Sequence, residues 1–231
     1  VQIAKGHNPY DTDFQEKHMS DLPITQRSVM TLFSDSKSPS SHRVRLMAQE
    51  KDIPLEIIEV DTSAGMPEDL IELNPYGTLP TLVDRDLVLY EPQVIVEYLD
   101  ERFPHPPLMS VDPVAKARAR QMLRQIEQEW YQLADTIVQK EDEEAAKLAR
   151  RDLQERIIQM IPVFDHQPYF MSEEYSLVDV SLAVLMWRLP YLGIELPKSA
   201  KAIQDYSDKV LSREMFMESL SDDELDMREV Y

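Results

Sequence analysis

Cysteine is absent from the 231 residues, and glycine occurs only 4 times. Without thiols the chain forms no disulfide, offers no thiolate nucleophile and builds no cysteine metal site. So little glycine leaves no glycine-rich loop to cradle phosphates. Basic residues are short as well: 24 Lys and Arg stand against 43 Asp and Glu, a formal charge of −19. That balance argues against direct nucleic-acid binding, which needs cations to displace counterions from phosphates. An acidic surface serves solubility, and it also suits a basic protein partner. No apolar run approaches the roughly 20 residues needed to span a bilayer, and no signal-peptide core is present. The resulting expectation is a cytoplasmic protein without a membrane role. The five His show no metal-ligand spacing such as HExxH, and the Ser-rich stretch 34–41 lacks the GxSxG spacing of a hydrolase elbow. Neither metal nor cofactor is expected.

What is present is ordinary globular material, 43% hydrophobic, in two successive patterns. Residues 1–27 are polar and aperiodic and are expected to form a flexible leader; His18-Met19 could mark a join to a native start. Val29–Phe33 and Leu55–Val60 read as strands flanking a helix over about Ser40–Lys51, a βαβ unit with parallel strands. A short helix from Met66-Pro67 to Leu73 ends in the turn cluster Asn74-Pro75-Tyr76-Gly77. Thr81–Val83, the turn Asp84-Arg85-Asp86 and Leu87–Tyr90 form a hairpin signature. Glu91-Pro92 opens a helix, because proline fits the first helical position. Its apolar stripe reads Val94, Ile95, Tyr98, Leu99 and Phe103, and Pro104-His105-Pro106-Pro107 ends it.

The order βαβαββα over residues 28–105 gives way, after a linker at 106–113, to helices alone over 114–218. The first runs to about Lys140 with Leu123, Ile126, Trp130, Leu133 and Ile137 in register. The acidic run Glu141–Glu144 is either a break or a helix start, and a second helix covers about Ala145–Val163. Ser176 with Asp179 three positions later resembles a capping box before the apolar run Val180–Leu189. A last helix covers Ala200–Leu211, and residues 219–231 read as an acidic tail.

From about Ser28 to Met215 the chain resembles the glutathione transferase superfamily. The hairpin and helix of residues 79–107 carry the likeness to its thioredoxin-like half. The implied fold class is α+β: a thioredoxin-like βαβαββα domain followed by an all-α domain. The exit PHPPLM is similar to one branch, the bacterial stringent starvation protein A regulators, which associate with RNA polymerase.

The resemblance implies a glutathione site that the residues only partly furnish. Pro80 takes the place of the cis proline, whose neighbour Leu79 would pair with the peptide-like middle of glutathione. The same proline is a fold determinant with or without a ligand. Ser38 takes the place of the thiolate-stabilising residue, and it is equally a routine helix N-cap. Where binders carry an acid followed by Ser or Thr, this chain has Glu91-Pro92, which lacks both hydroxyl and N–H. Losing such charge-assisted contacts costs roughly 1.5–3 kcal/mol each. Transferase catalysis is therefore not expected; the alternative is a glutathione-dependent transferase or isomerase using Ser38.

By itself, the PHPP stretch reads as a stiff connector. The resemblance makes it a partner-binding knuckle: Pro104, His105 and Pro106, with Phe103 and Pro107 beside them. It also implies RNA polymerase holoenzyme with its housekeeping sigma factor as partner, in starvation or acid stress. A homodimer, or a heterodimer with a related regulator, is implied too. Ser110 and Asp112 stand where the branch has proline and an aromatic, a departure at the outer wall of that pocket.

Overall fold

Short β-rich runs and two proline-started helices build the first layer of the molecule. The structure is a computed structural model describing residues 29–139 and 142–229. Strand β1 (Met30–Ser34) runs parallel to β2 (Leu55–Glu59), with Met30 opposite Leu55. Helix α1 (Pro39–Glu50) makes the crossover, with Pro39 in its first turn and Ser38 as cap. A 3₁₀ turn (Thr62–Ala64) and α2 (Glu68–Leu73) lead to β3 (Thr81–Asp84) and β4 (Leu87–Leu89), both antiparallel to their neighbours. The sheet order is β2-β1-β3-β4, and α3 (Pro92–Arg102) packs beside α1. The strands, their parallel start and the hairpin match the sequence reading. The predicted α3 stripe is rotated: Ile95, Val96 and Leu99 are buried, whereas Val94 is 50% exposed. The face that meets α1 follows 95, 96 and 99, which leaves Val94 one step round the helix.

The second layer is helical. Helices α4 (Pro113–Gln125) and α5 (Gln132–Gln139) continue one another through a π-helical turn, Ile126–Tyr131. That turn, hydrogen-bonded five residues apart, is invisible in a pattern read as one regular helix. Helix α6 (Glu143–Gln159) packs back on α5; Asp142 caps it, so the described part of the acidic run, 142–144, is a helix start. After α7 (Ile161–Phe164) comes α8 (Leu177–Arg188), whose twelve residues are all buried. A helix buried all round and mostly apolar belongs in a core, where each large aliphatic side chain contributes roughly 1.5–3 kcal/mol. One hydrophobic cluster spans both layers, from Leu32, Leu46 and Leu99 to Leu182 and Phe216.

Helix α9 (Lys201–Leu211) is followed by α10 (Glu214–Glu218) and α11 (Asp222–Glu229). The expected tail at 219–231 is thereby corrected over its described part. Ser219, Ser221 and Glu224 are buried, because Glu224 meets two arginines of the core. The expected leader, residues 1–27, lies outside the described residues. Among the described residues no helix is long and apolar enough to cross a membrane.

Candidate functional site

Strand register sorts the candidate residues into two groups at opposite ends of the α1–α3 pair. Phe33 lies opposite Thr81, and Leu82 opposite Leu89. The exit of β1 towards Ser38, the entry to β3 at Leu79-Pro80 and the exit of β4 towards Glu91-Pro92 therefore share one sheet end. Helix α3 then runs 11 residues to the other end, where Phe103–Pro107 follow it. At 1.5 Å per residue that is about 16 Å.

At the first end, Leu79-Pro80 is cis, Pro80 is buried and Leu79 is half-buried. The turn before it is pinned by Asn74, whose Nδ2 donates to Thr78 O at 2.9 Å and to Thr81 Oγ1 at 3.0 Å. Ser38 Oγ accepts from the Ser41 amide at 3.4 Å, the geometry of an N-cap, and Ser38 N donates to Asp35 at 3.0 Å. Glu91 is exposed and makes no capping bond, while Pro92 fills the first helical position. The free amides of this helix end begin at Gln93. An anion there would find no hydroxyl at position 92 and one backbone donor fewer.

At the second end, Pro104, His105, Pro106 and Pro107 are all exposed, Phe103 is half-buried, and His105-Pro106 is a second cis bond. The turn is tied from behind by a buried ion pair. Lys51 Nζ stands 2.8 Å from Asp100 Oδ1, with its side chain fully buried, and also donates to Pro106 O. Asp100 in turn accepts from the amides of Leu108 at 2.9 Å and Met109 at 3.1 Å. Leu108 O accepts from Leu177 N at 2.9 Å, which joins the strap to the start of α8.

Beside this strap opens a cavity of about 670 Å³. Its walls include Pro107, Met109, Val111, Arg118, Phe170 and Tyr175. Of the five knuckle residues, Pro107 alone lines it. Ser110 stands on the same wall, whereas Asp112 is the N-cap of α4 and accepts from Ala115 N at 2.7 Å. A capping role explains an acid at that position.

Sequence reasoning missed a buried polar cluster between the layers. Arg45 Nη2 donates to Glu224 at 2.6 Å, and Arg188 meets the other oxygen of the same carboxylate. Arg188 Nη1 donates to His42 Nδ1 at 2.9 Å. That bond makes Nδ1 an acceptor, so Nε2–H donates to Ser219 Oγ at 2.9 Å and the ring is neutral. Burial, with Arg188 and Arg45 adding to it, holds His42 well below the usual imidazole range. Glu224 Oε1, 3.3 Å from Nδ1, is therefore no ion-pair partner of that ring. The cluster reaches the Ser38 loop: Arg188 donates to Lys37 O at 3.1 Å and Ser221 Oγ to Ser36 O at 2.6 Å. Only the pair of arginines in Arg43-Val44-Arg45, leading into the apolar run Leu46-Met47-Ala48, marks it in the sequence. No three His, Cys, Asp or Glu among the described residues form a metal site.

A thioredoxin-like sheet with a cis proline, joined to a helical layer around a buried capped helix, defines a protein of the glutathione transferase superfamily. The family model described as glutathione S-transferase, N-terminal domain, matches residues 37–102. A solved glutathione transferase from Methylococcus capsulatus superposes with a TM-score of 0.75 at 25% identity, covering 83% of this chain and 97% of that one. Nearer relatives narrow the class. The stringent starvation protein A homologue of Pasteurella multocida is 50% identical over 196 residues, 84% of this chain and 92% of the relative. That of Coxiella burnetii is 47% identical over 208 residues, 90% of this chain and 99% of the relative. The chain belongs to the stringent starvation protein A family.

Proposed function

We propose that this chain is a non-catalytic transcription regulator of the stress response, docking on RNA polymerase holoenzyme, including the housekeeping sigma factor, through the Phe103–Pro107 knuckle. The observation that carries the reading is that turn: exposed, proline-stiffened, and tied from behind, in a chain of the stringent starvation protein A family. A surface already in shape loses little freedom on association. His105 supplies a donor, an acceptor and an aromatic face between apolar prolines. The formal charge of −19 favours contact with protein rather than with DNA.

The glutathione end supports the same reading. Pro92 removes the hydroxyl and amide that would hold a carboxylate, and Ser38 is engaged as a cap. Expected partners are the holoenzyme and a second copy of this chain, or a related regulator in its place. The test is a pull-down with purified holoenzyme. Wild type is expected to retain polymerase and His105→Ala to lose most of it; equal recovery would count against docking at this turn.

A further inference from the structure

The knuckle protrudes, yet its backbone is anchored by two residues far from it in sequence. Lys51, just past the C-terminal end of α1, and Asp100, in the last turn of α3, meet behind the turn. Lys51 is 6% and Asp100 9% exposed. A surface ion pair of this kind would carry little energy, but here both charges are withdrawn from water and further bonded. Each bond has a target in the strap. The ammonium holds Pro106 O, the carbonyl next to His105, while the carboxylate holds the Leu108 and Met109 amides. Leu108 and Met109 continue into the cavity wall, and Leu108 O is fastened to α8. Two charges thus fix the strap on both sides of Pro107. The sheet by itself does not call for such a pair, since an apolar pair of similar volume is often neutral or stabilising at a buried site.

We propose that Lys51 and Asp100 are positioning residues for the partner surface. Their buried pair holds Pro106–Met109 in one conformation and so presents His105 and the adjacent cavity wall together to the polymerase. The partner half of this inference rests on the function proposed above; the conformational half does not.

The experiment joins amide hydrogen exchange to holoenzyme affinity in full-length wild type, Lys51→Met, Asp100→Asn, His105→Ala and the Lys51→Met/His105→Ala double variant. Exchange at Leu108 and Met109 is expected to rise on the order of tenfold or more in Lys51→Met, while the amides of Leu182 and Leu185 in α8 keep their protection. Affinity is expected to fall on the order of tenfold in Lys51→Met. The double variant should bind no more weakly than His105→Ala, because the lysine acts through the turn. Should Lys51→Met lose protection throughout α8, Asp100→Asn serves the same comparison; the same loss in both makes the pair a fold determinant and overturns the proposal. Unchanged exchange at Leu108 and Met109 also overturns it. Faster exchange with wild-type affinity in Lys51→Met, when His105→Ala binds weakly, overturns the positioning role alone. Faster exchange with wild-type affinity in both variants sinks polymerase docking at this turn, and the partner half of the proposal with it.

Discussion

Glu224 is a junction of the buried polar cluster. Its carboxylate faces Arg45 and Arg188, its amide bonds Ser221 Oγ at 3.2 Å, and its carbonyl accepts from Trp187 Nε1 at 2.9 Å. Replacing one partner of a buried pair strands the other charge, which costs about 3–5 kcal/mol. Glu224→Gln is expected to lower stability by about that much, read as a lower urea midpoint at unchanged slope. Pro92 invites the opposite experiment. Pro92→Ser returns a hydroxyl and an amide to the helix end, so glutathione affinity should rise on the order of tenfold by calorimetry. No gain would show that the proline is not what weakens this subsite.

Among the elements, α8 was the easiest to read and carries the clearest local chemistry. Asp179 accepts from Ser176 N at 2.9 Å, Ser176 Oγ at 2.8 Å, Phe170 N at 2.9 Å and Tyr206 Oη at 2.8 Å. The capping box was legible because its partners lie three residues apart; the bonds to Phe170 and Tyr206 were not, because only the fold brings them there. Ser176→Ala should cost about 1 kcal/mol, as a lost cap. Asp179→Ala leaves several buried donors unpaired and should cost about 2–4 kcal/mol. Urea unfolding of the two variants checks the ranking. The same contrast separates the two ends of the α1–α3 pair. The family resemblance pointed to Pro80 and Ser38, and the run of prolines itself marked the PHPP turn. The buried pair behind that turn joins residues 49 apart in the chain, and neither Lys51 nor Asp100 looks unusual beside its charged neighbours.

At the level of the whole molecule, the sheet, the helical layer and their order followed from periodicity, but what fastens the layers together did not. Arg45 and Glu224 are 179 residues apart, and an acidic C-terminal run gives no local reason for one glutamate to turn inward. The fastening carries a pH signature through His42. Burial beside two guanidiniums keeps the folded imidazole neutral, whereas the unfolded one takes up a proton near pH 6.5. Below that value the unfolded state binds one proton more than the folded state, so stability must fall as pH falls, by up to about 1.4 kcal/mol per pH unit from this residue. Asp179 works in the other direction: burial raises its carboxyl, so its ionisation penalises the folded state as pH rises. The two effects oppose each other, so the histidine is read by comparison with His42→Gln, which shares the Asp179 contribution. Between pH 6.5 and 5.5 the histidine should therefore be visible as a fall in urea midpoint relative to that variant. His42→Gln keeps an acceptor for Arg188 and a donor for Ser219 but cannot take up a proton. Its stability should be flatter across that interval, by about three-quarters of one proton's slope. An unchanged slope would mean that the ring is charged in the folded protein and that Glu224 Oε1, not Arg188, is its true partner.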